Sequence, residues 1–247
     1  MDNVIYTALG GANAALNRQA VTSNNLANAS TTGFREQISA YRAVPVIGPT
    51  VETRTLVVES TPGSSSAMGP VNMTGRALDV ALPQDIWLAV ELPDGGEGYT
   101  RNGNIEIDSE GQLLVRGRPL MGDGGPLTVP PQSTLTIGSD GTITAQGAGD
   151  EPSALAQVGR IKLVNTPVQT LVRGDDGLFR SGIADAPPLP ADQEAQLMPE
   201  MLEGSNVSPV KSMVDMIATA RSFDMHMKVI TSADSNAKSA NQLLSAG

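Results

Sequence analysis

The sequence contains no cysteine and only one histidine, His226, among its 247 residues. The lack of cysteine excludes a disulfide framework, a thiolate nucleophile and a cysteine zinc site, and a single histidine excludes a multi-histidine metal centre. Aromatic residues make up 3% and charged residues 17% of the chain, both low fractions, whereas 26 glycines and 17 prolines predict many turns. This composition favours short strands over a helical bundle, and we expect no metal and no cofactor.

A secretion signal is also missing, because residues 1–30 have no basic segment followed by a continuous apolar stretch. No run of 18 apolar residues occurs in the chain either. We therefore expect a chain that is soluble when made and that leaves the cytoplasm, if it does so, without a cleaved leader. Its net charge of −10 argues against nucleic-acid binding, which needs a basic track for the phosphate backbone.

The two ends of the chain differ in charge from the middle. Residues 1–30 have a net charge of 0 and residues 206–247 have a net charge of +1, which leaves −11 for the residues between them. The ends are also poor in glycine, with Gly10, Gly11 and the terminal Gly247 as their only examples. The ends and the middle are therefore predicted to be different kinds of structure.

Both ends show a helical periodicity, because one residue row recurs at alternating spacings of four and three. The N-terminal row is Ile5, Leu9, Ala12, Leu16, Gln19, Ser23 and Leu26. The C-terminal row is Met213, Met216, Ala220, Phe223, Met227, Ile230, Asp234, Ala237, Asn241 and Leu244. Val210, Val214, Ile217 and Val229 widen the second row beyond a two-stranded seam, so we expect this helix to have more than one neighbour.

Two arrangements of these helices stay open on the residues alone. They can pair as an antiparallel hairpin on one globular domain. Alternatively, they can assemble with helices of other chains, which the wide C-terminal face and the polar second half of the N-terminal row favour. The N-terminal helix is marginal by itself, because Gly10 and Gly11 each cost about 1 kcal/mol relative to alanine.

The middle of the chain predicts an antiparallel β domain, since turn signals such as Asn102-Gly103 and Asp140-Gly141 recur roughly every 8 to 12 residues. The predicted strands are Asp79–Leu82, Ile86–Leu92, Ile105–Ile107, Gln112–Val115, Leu127–Val129, Thr134–Ile137, Thr142–Ala145 and Arg160–Val164. A stretch rich in Pro, Ser, Thr and Gly, Val44–Gly75, is predicted to be an extended arm. The fold class is therefore α+β, with an N-terminal helix in 1–30, an arm in 31–76, a β domain in 77–200 and a C-terminal helix in 201–247.

Catalysis has little support in the sequence. A Ser/His/Asp triad needs three groups that converge on one point, but Ser222, Asp224 and His226 lie on one predicted helix and Asp224 faces away from His226. The glycine-rich segments match no phosphate-binding loop. We expect no enzyme activity and no small-molecule substrate.

Three blocks of residues resemble the signatures of the bacterial flagellar rod and hook family of axial proteins. The first is Asn24-Asn25-Leu26-Ala27-Asn28, followed by Gly33-Phe34-Arg35. The second runs from Tyr99-Thr100-Arg101-Asn102-Gly103 through Asp108, Gly111 and Leu113. The third is Glu203-Gly204-Ser205-Asn206-Val207. By their chemistry alone, the asparagines of the first block can cap a helix end, Gly33 can take a left-handed turn and Phe34 can anchor the chain.

Within this family, residues 1–8 and the short middle of the chain are most similar to proximal-rod members. The segment Asp79–Leu88 departs from the family pattern, which leaves the packing of Trp87 undetermined. The resemblance implies coiled-coil-like pairing of the terminal helices, which form an inner tube with those of neighbouring subunits, and a β domain outside the tube. It implies a structural subunit of the basal-body rod, which crosses the periplasm and transmits motor torque to the hook and filament.

The resemblance also implies partners, namely copies of the chain, adjacent proximal-rod and distal-rod subunits and the flagellar type III export apparatus. The expected subunit-interface residues are Ile5, Leu9, Leu16, Asn24, Asn25, Leu26, Asn28, Gly33, Phe34, Met213, Met216, Ala220, Phe223, Met227, Ile230 and Leu244. An alternative from a different class is a secreted β-sandwich that acts as a binding or adhesion module, with terminal helices that only cap it. A hydrolase that uses His226 is a more distant alternative.

Overall fold

The computed structural model describes residues 2–45, 55–131, 133–147, 156–183 and 186–245. The chain is α+β, with a helix near each end and antiparallel sheets between them. It divides into two units. The helical unit comprises Met1–Ala27, Gln37–Gly63 and Ser208–Gly247, and the β unit comprises Asn28–Glu36 and Ser64–Val207.

The helical unit contains two long helices and a two-stranded sheet. Helix α1 spans Asp2–Ala27 and helix α2 spans Pro209–Ser245, while β1 (Gln37–Pro45) pairs with β2 (Thr55–Ser64). Helix α2 starts with proline, whose missing N–H needs no partner in the first turn of a helix. Helix α1 packs on both α2 and β1. Neither helix, over its described residues, is long and apolar enough to cross a membrane.

The buried row of each helix consists mainly of small side chains. In α1 the buried residues are Ala8, Ala12, Ala15, Thr22 and Asn25. In α2 the buried or half-buried residues are Ser212, Met216, Thr219, Ser222, Phe223, His226, Ile230, Ala233, Ala237 and Ala240. Small side chains at alternate positions let two helix backbones approach closely, so the large side chains that flank them turn outward.

These rows differ from the predicted rows at every second member. Ala12 and Met216 belong to both, but Ala8 replaces Leu9 and Ser212 replaces Met213 on the buried side. Leu9 and Met213 keep 46% and 52% of their surface exposed. The reason is physical, because a hydrophobic periodicity alone cannot tell a row of alanines and serines that faces a helix from the adjacent row of larger residues.

Gly11 and His226 show how close the two helices are. A Cβ atom built on Gly11 would lie 2.4 Å from Cε1 of the His226 ring, a distance that no real Cβ contact reaches. The interior glycine of α1, which costs helix stability, thus makes room for the imidazole of α2. His226 is therefore a packing residue of the helical unit.

The β unit is built from short strands in several small antiparallel sheets. Its strands are β3 (Val71–Met73), β4 (Val80–Ala81), β5 (Ile86–Glu91), β6 (Glu97–Thr100), β7 (Ile105–Ile107), β8 (Leu113–Val115), β9 (Arg118–Pro119), β10 (Met121–Gly122), β11 (Gly125–Pro126), β12 (Thr134–Ile137), β13 (Thr142–Gln146), β14 (Ala156–Arg160), β15 (Leu163–Asn165), β16 (Leu171–Arg173), β17 (Phe179–Ser181), β18 (Met198–Pro199) and β19 (Met201–Glu203). A 3-10 helix, Val168–Thr170, precedes β16.

The largest sheet of the described residues has five strands in the order β15-β5-β6-β17-β16. Smaller sheets are β12-β13-β14, β7-β8-β9, β10-β11, β18-β4 and β19-β3. The alternation of exposed and buried residues in β12 and β13 is the pattern of strands that cover a core on one face. That core includes Leu82, Leu88, Ile105, Leu113 and Ile143, all of them fully buried.

Trp87 has a defined place beside this core. Its side chain is buried against Phe179, with ring centroids 4.7 Å apart, and its indole Nε1 donates a hydrogen bond to the Thr166 carbonyl at 2.9 Å. A buried indole needs such a partner, because an unsatisfied N–H is costly in an apolar site. The segment in which the family pattern departs is therefore well packed around Trp87.

Most predicted strands are confirmed, with two corrections. The strand predicted at Leu127–Val129 is wrong, because Thr128 makes only an isolated bridge to Gln112. The strand predicted at Arg160–Val164 is two strands, since β14 ends at Arg160 and β15 begins at Leu163 in a different sheet. In both places the chain changes sheet within a few residues, and short apolar runs do not report such a change.

Candidate functional site

Three charged residues that are distant in sequence meet inside the β unit. Arg35 ends the first signature block, Arg101 lies in the second and Glu203 begins the third. Their side chains are between 1% and 3% exposed and form two ion pairs, which share the Glu203 carboxylate. We call Arg35, Arg101 and Glu203 the signature junction.

Arg101 satisfies all of its side-chain donors in the junction. Its Nε and Nη2 donate to Oε2 of Glu203 at 2.8 and 2.6 Å. Nη1 donates to the carbonyls of Pro83 and Ile86 at 2.9 and 2.7 Å, and Nη2 also donates to the Leu82 carbonyl at 2.6 Å. A guanidinium group has five N–H bonds, and each has an acceptor here, as a buried cation requires.

Glu203 accepts hydrogen bonds through both carboxylate oxygens. Oε1 lies 3.1 Å from Nη2 of Arg35 and accepts the backbone N–H of Gly69 at 2.9 Å. Oε2 accepts the two hydrogen bonds from Arg101. Its backbone carbonyl, in addition, accepts the N–H of Gly33 at 2.8 Å. One residue thus holds the segments around positions 33, 69 and 101 together.

Arg35 is held at the edge of the junction by Glu203 and by the backbone carbonyl of Ala67, which accepts a hydrogen bond from Nη1. Burial and the charge of Arg101 lower the pKa of Arg35 to about 10, and Glu203 opposes both effects. Burial also lowers the pKa of Arg101. Two guanidinium groups share one carboxylate, so the junction retains a net charge of +1 away from water.

Glycines make room for the junction at two points of close backbone approach. Gly33 has a φ of +68°, which confirms the expected left-handed turn, and a Cβ atom there would lie 2.4 Å from the carbonyl of Arg101. A Cβ atom on Gly69 would lie 2.0 Å from the carbonyl oxygen of Gly204. The glycine of the first signature block is therefore required both by its φ angle and by the second block.

Asn206 completes the frame from the third block. Its Oδ1 accepts the N–H of Glu36 at 2.6 Å, its Nδ2 donates to the Ala67 carbonyl at 2.8 Å, and its own N–H donates to the carbonyl of Phe34 at 3.3 Å. Phe34 is buried, as expected of an anchor, beneath the guanidinium of Arg173 at 4.2 Å from the ring centroid. The chain after the first signature block is thus fixed along residues 33–36.

Family models match three parts of the chain. The flagella basal body rod protein model matches residues 5–35, the model of the flagellar hook protein FlgE/F/G D1 domain matches 84–145, and the model of the flagellar basal body rod FlgEFG protein C-terminal region matches 198–243. Each matched region contributes one member of the signature junction, in the order Arg35, Arg101 and Glu203.

Curated proteins match over nearly the whole chain. The flagellar basal-body rod protein FlgF of Salmonella typhimurium is 56% identical over 99% of both chains. The FlgF protein of Caulobacter vibrioides is 31% identical over 99% of this chain and 98% of its own. The chain belongs to the flagellar basal-body rod protein family. A FlgG rod protein of Buchnera aphidicola is 28% identical over 90% of this chain and 92% of its own, which is a lower identity than that of either of these two FlgF proteins.

As a member of the rod protein family, the chain is a structural protein of the flagellar basal-body rod and not an enzyme. The alternative of a secreted β-sandwich binding module is not supported by these relatives. His226 fits this conclusion, because it is packed against Gly11 in the helical unit.

The asparagines predicted as caps have separate roles in this rod protein. Asn25 is buried and forms a two-way clamp with the backbone of Gln37, since its Nδ2 donates to that carbonyl at 2.9 Å and its Oδ1 accepts that N–H at 2.8 Å. Asn28 accepts a hydrogen bond from the Thr31 hydroxyl at 3.2 Å. Asn25 therefore pairs the end of α1 with the start of β1 inside the helical unit.

The other expected interface residues lie on the two helices. Ile5, Leu26, Met216, Phe223 and Ile230 are half-buried, whereas the exposed ones are Leu9, Leu16, Asn24, Met213, Ala220 and Met227. Leu244 lies outside the residues whose side chains the structure describes. Sequence reasoning missed the junction, because it gave Arg35, Arg101 and Glu203 no role. The sequence did contain one indication of the junction, because each of the three signature blocks includes one of these three charged residues.

Proposed function

We propose that this rod protein is a subunit of the proximal rod and that α1 and α2 assemble with the helices of neighbouring subunits into the inner tube of the drive shaft, through which motor torque passes to the hook and filament. The domain division of 1–30, 31–76, 77–200 and 201–247 is part of this proposal. The proposal also includes coiled-coil-like pairing of the two helices and export through the flagellar type III apparatus, both of which the family resemblance implies.

The observation that supports assembly best is an exposed apolar face on α2. Val210, Met213, Val214 and Ile217 are between 52% and 73% exposed and recur at helical spacings of three and four. At 100° per residue they lie about half a turn from the row that packs on α1. We call these four residues the outer face.

Exposure of the outer face is costly in a free chain. Full burial of a side chain of this size contributes about 1.5–3 kcal/mol. Leu9 and Leu16 of α1 are also exposed, at 46% and 51%. Since the small-residue rows already occupy the contact between α1 and α2, neighbouring subunits are the means by which these larger side chains become buried. Our proposal retains the exposed residues Asn24, Ala220 and Met227 as further contacts with those neighbours, whereas the buried Asn25 and Phe34 contact other parts of their own chain.

The signature junction gives this proposal a mechanical element. The segment that follows α1 and the strand β19 that leads toward α2 are bound to each other through Arg35 and Glu203. Glu36 and Asn206 repeat the link by a hydrogen bond of 2.6 Å. The segment after α1 and the segment before α2 are therefore fixed at one point of the β unit. This link limits movement of the two segments relative to each other when torque passes through a subunit.

The test replaces Met213 with aspartate in a strain that lacks the native gene. Met213 is exposed, so we expect the purified variant to keep its circular dichroism and unfolding midpoint. In the rod, a buried carboxylate without a partner costs several kcal/mol, so incorporation into basal bodies should fall at least about tenfold and swimming should be lost. Met213→Leu is the matched control, since it keeps the size and polarity, and it should assemble normally. Normal incorporation of Met213→Asp would refute the outer face as a subunit contact.

A further inference from the structure

A small notch beside the signature junction has four arginines among its lining residues. Arg35, Arg101, Arg116 and Arg173 surround it, together with Asn102 and the ring of Phe34. The cavity measures about 10 Å³, which is close to the volume that one water-sized atom needs. The notch lies within the β unit, whose segments 28–36 and 64–207 supply all of its lining residues.

The positive charges of the notch are not balanced within the chain. Arg35 and Arg101 share the one carboxylate of Glu203. In the part of the chain that the structure describes, Arg116 and Arg173 form no ion pair with a carboxylate. Glu203 and Asp85 are the carboxylates that act on Arg35 and Arg101. Four guanidinium groups and two carboxylates therefore leave a net charge of +2 around the notch, in a chain whose net charge is −10.

Arg116 and Arg173 are both held in energetically unfavourable states in the notch. Arg116 has a φ of +53°, a left-handed conformation that disfavours any residue with a Cβ atom. Arg173 donates to the Arg35 carbonyl at 3.2 Å and stacks on Phe34, and its pKa is lowered by burial and by the charge of Arg116. Arg116 is exposed and Arg173 is half-buried, and neither forms an ion pair with a carboxylate of the described residues, so both guanidinium groups are accessible to an anionic group from outside the chain.

We infer that the notch binds the carboxylate of an aspartate or glutamate on a second copy of this chain. A carboxylate matches the notch in sign, and one of its oxygens matches the cavity in size. Its two oxygens also suit the planar donor pairs of Arg116 and Arg173. A second copy is the occupant that charge complementarity favours, because the residues between the two helical ends have a net charge of −11. This inference rests on the proposed function, under which copies of the chain assemble in the rod.

The first experiment compares stability with assembly in the full-length chain. Arg116→Gln removes one unbalanced charge, so we expect the unfolding midpoint to stay the same or rise, while incorporation into basal bodies falls about tenfold. Arg116→Lys keeps the charge and should retain most of the incorporation. Arg118→Gln, two residues along the same turn and outside the notch, is the matched control and should assemble normally. Normal incorporation of Arg116→Gln, or a loss of stability that accompanies its loss of assembly, would overturn the inference.

The second experiment identifies the occupant by charge exchange. Arg116→Glu should block motility, and selection for restored swimming should recover changes of Asp or Glu to Lys or Arg at a second position of the same chain. Suppressors found only in other proteins would overturn the assignment to a second copy. Different results contradict the two proposals. If the native chain is absent from purified basal bodies, the proposed function is wrong. Native chain present in them, with Arg116→Gln incorporated equally well, contradicts only the notch.

Discussion

Arg101 donates two hydrogen bonds to one carboxylate oxygen of Glu203, from Nε at 2.8 Å and from Nη2 at 2.6 Å, although the two residues are 102 positions apart. Arg101 also neutralises part of the charge that Glu203 places in the core, and it lies 5.7 Å from the ring of Trp87. This pair connects the second signature block of the family with the third. The signature blocks of the family therefore contain the residues of a buried ion pair as well as those of a helix end and a turn.

Loss of the Glu203 charge should unfold the β unit readily. Glu203→Gln leaves two buried guanidinium groups without an anion, and removal of one partner from a buried ion pair costs about 3–5 kcal/mol. Trp87, the only tryptophan, reports on this unit, so its fluorescence in a denaturant titration measures the change. Arg180→Ala breaks the exposed pair with Asp176 and should cost about 0–1 kcal/mol. Equal losses of unfolding free energy in the two variants would show that the junction contributes no more to stability than an exposed ion pair does.

Gly33 and Gly75 allow a direct test of close approach, because both have nearly the same left-handed backbone. Their φ angles are +68° and +70°, but a Cβ atom on Gly33 would meet the Arg101 carbonyl at 2.4 Å, while one on Gly75 would meet nothing within 4 Å. We expect Gly75→Ala to cost about 1–2 kcal/mol from backbone conformation alone. Gly33→Ala should cost clearly more, or prevent folding. Thermal unfolding of both variants decides the point, and similar midpoints would show that the clash is absent.

Gly11 and His226 should behave as a coupled pair. Alanine normally stabilises a helix interior by about 1 kcal/mol relative to glycine, but at Gly11 the added methyl group meets the His226 ring. We therefore expect Gly11→Ala to lower helical stability in the native background. It should raise stability when His226→Ala has removed the ring. A double-mutant cycle followed by circular dichroism at 222 nm measures this reversal. Additive effects would mean that the two residues do not touch.

The sequence was sufficient for the type of most elements. Residue periodicity predicted both helices, and Asn-Gly and Asp-Gly turns predicted the short strands, because these signals are local. Every second member of both predicted rows was wrong for the contact between α1 and α2, since Ala8 and Ser212 are buried while Leu9 and Met213 are exposed. Hydrophobicity ranks the larger residue first, whereas close helix packing selects the smaller one.

The signature junction was beyond sequence reasoning for a different reason. Arg35, Arg101 and Glu203 look like ordinary surface charges, because charged residues are seldom fully buried. Their burial depends on contacts between segments far apart in the chain. The backbone carbonyls of Leu82, Pro83 and Ile86, which complete the bonding of Arg101, have no side-chain signal at all.

We propose that the small-residue rows join α1 to α2 within one subunit and that the larger apolar side chains join subunits to each other. A map of the assembled basal-body rod at side-chain resolution tests it most directly. We expect Leu9, Leu16, Met213 and Ile217 to be buried against neighbouring subunits, with Gly11 still against His226 of the same chain. A rod in which these four side chains face solvent, or in which α1 and α2 of one chain have separated, would contradict it.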